Sequence, residues 1–230
     1  MAFVVFDFDH TLFDGDSGTK LIKWLIDRAW WRKALALLVA PVAGPMIAFL
    51  PTRRYGISVF VWIGTLGMHD EAAVNRAIDT YVDENLSELK KLILPTAIAK
   101  FNEHLANTDT VIVATGAPTE LARKLMREIT HEKIPVIGTI LGPILGGMHA
   151  VHHCHNVNKV KMIREHGYDA PIDVAYTDSF ADVPLVQAAR HPVVVNPKES
   201  SIDNFRNALP AGTPIIWWGA EGRSGEGAPN

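Results

Sequence analysis

Short runs of apolar, mostly β-branched residues punctuate the chain, each stopping at polar or turn residues. They are 3–6 (FVVF), 111–114 (VIVA), 134–141 (IPVIGTIL), 172–176 (IDVAY) and 193–195 (VVV). Between most of them the apolar positions recur at helical spacing, over 118–129, 156–166 and 181–190. Continuous apolar strands alternating with helices predict an α/β fold with a Rossmann-like parallel sheet covered on both faces. Ligands of such sheets collect beyond the carboxyl ends of the strands, so the residues that follow each run carry the most information.

The alternation fails between about 16 and 95, where the sequence is apolar or helix-like without a comparable strand. This stretch reads as a helical insert. Within it, HisAspGluAlaAla (69–73) opens a helix reaching about Lys91, with acids in its first turn and lysines in its last. A second interruption, GlyProIleLeuGlyGlyMet (142–148), reads as a small hairpin after the third strand. The expected organisation is a core of 1–15 and 96–218, an insert of 16–95, and a Gly/Ser-containing tail, 219–230, expected to be disordered.

With 230 residues and 48% hydrophobic composition the chain can bury a substantial core. A net charge of -3 gives no basic field of the kind that nucleic acid requires. The single cysteine, Cys154, excludes an intrachain disulfide and fits a reducing compartment. The first ten residues have a short apolar run and no basic leader, so they read as a strand rather than a signal peptide, and a cytoplasmic location is expected.

The residues after the strands form a chemically coherent set. Asp7, Asp9 and Thr11 follow the first, Thr115 and Gly116 the second, and Thr177-Asp178-Ser179-Phe180-Ala181-Asp182 the fourth, while Lys159 opens a helix. Clustered carboxylates suit a hard cation such as Mg²⁺, which usually shares its site with phosphate. One carboxylate can attack phosphorus, and a second, two residues along, can act as general acid and then base. A hydroxyl, a backbone N–H and a lysine would neutralise the phosphoryl oxygens. Lys159 is favoured over Lys161 because Val160 and Ile163 read as the buried positions of that helix.

DFDHT, a strand ending in ThrGly, a lysine near a helix start and DSFAD, in that order, resemble the haloacid dehalogenase superfamily of phosphatases over most of the chain. The resemblance implies Asp7 as nucleophile, Asp9 as acid/base, and Thr115, Gly116 and Lys159 as phosphoryl contacts. It also implies Mg²⁺ held by Asp7, Asp178 and the Asp9 backbone carbonyl, with Asp182 and Thr11 in supporting positions and an aspartyl-phosphate intermediate. Asn156 departs from the pattern, standing where glycine is usual.

The insert resembles the helical cap of the phosphoserine-phosphatase-like subfamily, in which Asp16 falls where a cap acid lies near the substrate. Residues 34–50 nevertheless contain no charged or polar side chain, and AlaTrpTrpArgLys and ThrArgArgTyr flank them. Tryptophan with Arg and Lys is membrane-interface composition. Asp7 lies before this run and Asp178 after it, yet both must reach one metal, so a single bilayer crossing is excluded. The reading is peripheral contact through 30–64, with Arg32, Lys33, Arg53 and Arg54 at anionic headgroups; the alternatives are an apolar cap core or a dimer interface. The implied substrate is a phosphate monoester on a lipid headgroup, phosphatidylglycerol phosphate, the alternative being a small soluble ester such as phosphoserine or histidinol phosphate. HisAlaValHisHisCysHis (149–155) offers zinc-ligating side chains at a spacing matching no closed zinc pattern, and one or two of its histidines are expected to face substrate instead.

Overall fold

The computed structural model describes residues 1–49 and 52–219. The expected tail beyond Gly219, and the Arg53 side chain expected at headgroups, lie outside the described residues. In chain order the elements are β1 (Phe3–Phe6), α1 (Ser17–Asp27), α2 (Trp30–Ala48), α3 (Arg53–Thr65), α4 (Glu71–Lys91), α5 (Pro95–Ala106), β2 (Thr110–Pro118) and α6 (Thr119–Thr130). There follow β3 (Val136–Ile144), β4 (Gly147–His152), α7 (Val157–Glu165), β5 (Ile172–Thr177), α8 (Val183–Gln187), β6 (Ala189–Val195), α9 (Ile202–Ala208) and β7 (Ile215–Ile216).

The seven strands make one sheet in the order β4-β3-β2-β1-β5-β6-β7, parallel except for β4, which runs antiparallel to β3. All four residues of β1 are buried because it is central and covered on both faces. Its side chains alternate between the two layers: Val4 and Phe6 join one core with Phe101, Leu121 and Tyr176, and Phe3 and Val5 join the other with Met162, Ile163 and Leu185.

Helices α1–α4 leave and return through a narrow neck. The Asp14 N–H donates to the Leu92 carbonyl (2.6 Å) and the Leu94 N–H to the Leu12 carbonyl (3.0 Å), so the loop after β1 is tied to the end of α4. Asp16 and Asp70 cap α1 and α4 through the N–H groups of Thr19 (2.6 Å) and Ala73 (2.7 Å). Helices α2 and α3 pack closely at Gly56, where a Cβ would come within 2.8 Å of the Ala43 carbonyl oxygen.

Helix α2 is not the core of the cap. Of its residues only Ala43 is buried, while Trp30 (80%), Leu37 (75%), Leu38 (76%) and Val42 (69%) are exposed. The alternative of an apolar cap core is therefore overturned. Its cations are used within the chain: the Arg32 guanidinium donates to the carbonyls of Leu25 (3.0 Å) and Leu66, and Lys33 pairs with Asp27 (3.2 Å).

Several boundaries differ from the sequence reading. The hairpin is longer than 142–148, because β3 continues to Ile144 and pairs with β4 as far as His152. The helix expected over 181–190 shortens to α8, since β6 already begins at Ala189 and pairs with β5 through Arg190–His191–Pro192. The elements α9 and β7 were not anticipated.

Candidate active site

The parallel register sets the site. Phe6 stands opposite Val113 of β2 and Tyr176 of β5, so Asp7, Thr115 and Asp178 emerge together at the carboxyl edge of three adjacent central strands. The Asp7 N–H donates to the Tyr176 carbonyl (2.9 Å), and its Oδ1 accepts from the Phe8 N–H (2.8 Å), which holds the carboxylate at the strand end.

Lys159, in the first turn of α7, is only 1% exposed. Its Nζ lies 3.0 Å from Asp7 Oδ1 and 2.5 Å from Asp182 Oδ2. Lys161 of the same helix is exposed and pairs with Glu165 (3.6 Å). Burial works against the charge on Lys159, but the carboxylates of Asp182 and Asp7 outweigh it and raise its pKa. Burial likewise pushes Asp182 up, and Lys159 overrides this and holds it below the usual carboxylate range. The Thr177 hydroxyl bridges the pair at 3.4 Å from both Asp7 Oδ2 and Asp182 Oδ2. Thr177 stands in the sequence at the head of the set that follows the fourth strand, but the sequence alone assigns no role to it, because a threonine at a strand end also reads as a β-branched strand former.

The remaining carboxylates are under-neutralised. Burial raises Asp7 to about 6, the nearby Lys159 limiting the rise. Burial and then the charge of Asp7 raise Asp178 to about 8. Burial and the neighbouring Asp16 raise Asp9 to about 7, although its Oδ1 accepts from the Ser17 N–H (2.9 Å) at the start of α1. The cap thus orients Asp9. Asp16 itself is exposed and engaged as the N-cap of α1, a role its sequence position did not reveal. Thr11 is fully buried, and neither its hydroxyl nor that of Ser17 has a hydrogen-bond partner among the described residues.

The phosphoryl-side loop is built from backbone. The Thr115 hydroxyl accepts from the Ala117 N–H (3.1 Å), and Thr139 Oγ1 donates to the Gly116 carbonyl (2.7 Å). At Asn156 the backbone has φ 56° and ψ -138°, a conformation that favours glycine; Asn tolerates it, and its side chain accepts from the Val157 N–H (2.7 Å). The departure from glycine therefore keeps the turn that presents Lys159.

The donor set fits a hard divalent cation. Lys159 is one positive charge against the carboxylates of Asp7, Asp178 and Asp182, and the raised pKa values of Asp7 and Asp178 mark where positive charge is lacking. Among the described residues no three His, Cys, Asp or Glu side chains gather to hold a metal by themselves. That is compatible with Mg²⁺, which commonly takes one or two carboxylates and fills its octahedron with water and phosphate.

The sequence profile of haloacid dehalogenase-like hydrolases matches residues 4–187. The chain belongs to that family. The "Inhibition of morphological differentiation protein" of Streptomyces azureus is 26% identical over 195 residues, covering 75% of this chain and 68% of that protein. Among solved structures, a protein of unknown function from Bordetella pertussis Tohama I superposes with a TM-score of 0.67 at 18% identity, over 95% of this chain and 99% of its own. A substrate-bound phosphoserine phosphatase superposes at 0.53 and 16% identity, over 94% and 92%. At these identities the structural likeness establishes the shared fold, and residue roles must come from this chain's own geometry.

Proposed function

We propose that the protein is a Mg²⁺-dependent phosphomonoester hydrolase working through an aspartyl-phosphate on Asp7. The observation that carries this is the buried Lys159 held between Asp7 and Asp182 at the carboxyl edge of the sheet. The Asp7 carboxylate attacks phosphorus while Asp9, whose carboxyl is raised by burial and by the neighbouring Asp16, gives its proton to the departing alkoxide. Asp9, now a base, takes a proton from water as that water attacks the acyl phosphate, which releases inorganic phosphate and restores Asp7. Thr115, Gly116 and Lys159 hold the phosphoryl oxygens, and Asp182 with Thr177 fixes the ammonium of Lys159. Mg²⁺, with Asp7, Asp178 and the Asp9 carbonyl as its protein ligands, would supply the charge that holds phosphoryl oxygens against a carboxylate nucleophile.

The substrate reading is a phosphate on a lipid headgroup, in line with a cap sequence resembling phosphatidylglycerophosphatase C through VWIGTLGMHDEA. Its support is the exposed apolar face of α2, which by length and composition could even cross a bilayer. From Arg28 to His69 there is no acidic residue and there are five cations, Arg28, Arg32, Lys33, Arg53 and Arg54. The pairing of β1 with β5 is incompatible with a single bilayer crossing between Asp7 and Asp178, so in this reading the α2–α3 pair dips into one leaflet without crossing it. Two cations of α2 are engaged within the cap, so apolar contact dominates this docking. Asp16, at the mouth beside Asp9, is proposed as a substrate contact in addition to its capping role.

A substrate panel tests the assignment: phosphatidylglycerol phosphate in micelles against phosphoserine and histidinol phosphate, with and without EDTA. The expected outcome is Mg²⁺-dependent phosphate release with a clear preference for the lipid ester. Preference for a small polar ester would overturn the lipid substrate, and release insensitive to EDTA would overturn the metal.

A further inference from the structure

The first turn of α1 brings a buried hydroxyl to the acid/base carboxylate. The chain leaves β1 through a tight turn in which the Leu12 and Phe13 N–H groups donate to the Phe8 carbonyl (2.8 and 3.0 Å). It turns again at Gly15, whose φ of 123° is open to glycine, and Ser17 then begins α1 with its N–H donating to Asp9 Oδ1 (2.9 Å). The next residue, Gly18, faces the end of β2: a Cβ there would lie 3.6 Å from Pro118 Cδ and 3.9 Å from Ala117 Cα. Ser17 therefore stands at the seam between Asp9 and the strand end that carries Thr115 and Gly116.

Ser17 is 1% exposed, and its hydroxyl has no hydrogen-bond partner among the described residues. Buried polar groups rarely go unmatched, and an alanine would fill the position without leaving a hydroxyl to satisfy. Other buried hydroxyls around the site are matched. Thr177 Oγ1 faces Asp7 and Asp182, Thr139 Oγ1 donates to the Gly116 carbonyl, and Thr115 Oγ1 accepts from the Ala117 N–H. The Thr11 hydroxyl is also unmatched, but Ser17 is the residue bonded to Asp9. The Ser17 hydroxyl lies near enough to that carboxylate to favour its charged form, without reaching hydrogen-bond geometry. Asp16 beside it is committed elsewhere, its Oδ1 accepting from the Thr19 N–H (2.6 Å). An unmatched donor held next to the acid/base is placed for an atom that arrives with the substrate.

We propose that Ser17 is a catalytic residue whose hydroxyl donates a hydrogen bond to the ester oxygen that leaves as Asp9 protonates it. The proposal rests on the phosphomonoesterase reading. As the bond from Asp7 to phosphorus forms and the bond from phosphorus to the ester oxygen breaks, negative charge collects on that oxygen. Asp9 transfers its proton there, and Ser17 keeps its own proton while sharing it as a hydrogen bond. A donor aimed at charge that develops only in the transition state raises the rate rather than the affinity for the ground state. The role is the same for a lipid headgroup and for a small soluble ester, since both leave as an alkoxide.

Two aryl phosphates of similar shape isolate this step. Phenolate is a poor leaving group and p-nitrophenolate a good one, so only the first needs much help at its oxygen. The quantity to measure is kcat/KM for phenyl phosphate divided by that for p-nitrophenyl phosphate. Ser17→Ala is expected to lower this ratio about tenfold, the size of one hydrogen bond gained in the transition state. Ser17→Thr, which restores a hydroxyl, is expected to keep most of the ratio. Proportionate loss on both esters would make Ser17 a structural residue, and unchanged rates on both would make its hydroxyl idle. Either result overturns the proposal, as would a threonine variant whose ratio falls as far as that of alanine. Wild-type protein that releases phosphate from neither ester would instead sink the phosphatase reading, and this proposal with it.

Discussion

At the end of β1 a lysine only 1% exposed sits between two aspartates, whereas in α2 Leu37 and Leu38 stand 75% and 76% exposed. The core buries charge and the cap displays hydrocarbon. Each is costly by the usual rules, since buried charges need partners and large apolar surfaces need cover. The core solves part of its problem internally: Lys159, Asp182 and the Thr177 hydroxyl form one network. What it leaves over, the raised pKa values of Asp7 and Asp178, has the chemistry of a cation and a phosphate. The exposed face of α2 has no comparable internal remedy, and under the proposed function its cover is lipid. The two regions are linked at the neck, where the start of α1 donates to Asp9 and the end of α4 is bonded to the loop after β1.

The largest effect falls on the nucleophile. Asp7→Asn is expected to lower Mg²⁺-dependent phosphate release by at least about 10³-fold, as removal of a covalent nucleophile typically does. The circular dichroism spectrum should be unchanged, because the amide keeps the size of the group. Activity close to wild type would remove Asp7 from the chemistry.

The next effect is on stability. Lys159→Met removes one member of a buried charge network and leaves Asp7 and Asp182 facing each other without their cation. Breaking such a pair from one side typically costs about 3–5 kcal/mol, and urea denaturation would measure it. Adding Asp182→Asn to the same chain should recover part of that loss, because an uncompensated buried carboxylate is then gone. If the single variant unfolds at the wild-type urea concentration, the network contributes nothing to the fold.

How far the sequence carried these conclusions differs between the two regions. In the core, the strands are continuous apolar runs and a parallel sheet sends their ends to one edge. The residues after each run singled out Asp7, Asp9, Thr115 and Asp178, and Lys159 needed the helix pattern and the family resemblance; the structure brings Lys159 against Asp7 and Asp182. Thr177 was named after the fourth strand but given no role, because threonine is as ordinary in a strand as valine. The exposure of α2 was not legible either. An all-apolar helix has no polar face to mark its orientation, so composition alone could not separate a buried helix from one turned outward. Boundaries were lost where pairing overrode local pattern. Arg190, His191 and Pro192 belong to β6 because β5 offers them a partner, and β7 is two residues long. The capping role of Asp16 was not read from the sequence, where the resemblance gave it only a substrate role.

The smallest effect on the fold belongs to the cap and is the sharpest test of the contrast. Leu38 is 76% exposed, so Leu38→Glu should shift unfolding free energy by no more than about 0.5 kcal/mol, as for most surface substitutions. On anionic vesicles the same change should weaken binding strongly. Burying a leucine side chain in an apolar phase contributes about 1.5–3 kcal/mol, and a carboxylate at that position adds repulsion from the surface. Co-flotation with phosphatidylglycerol vesicles should therefore fall by about tenfold or more in apparent affinity, while the melting temperature stays put. A variant that melts early would mean α2 is covered by protein, as in a dimer, and one that floats like the wild type would mean this face does not meet lipid. Because core and cap respond to different substitutions with different readouts, the two halves of the proposed function can fail separately.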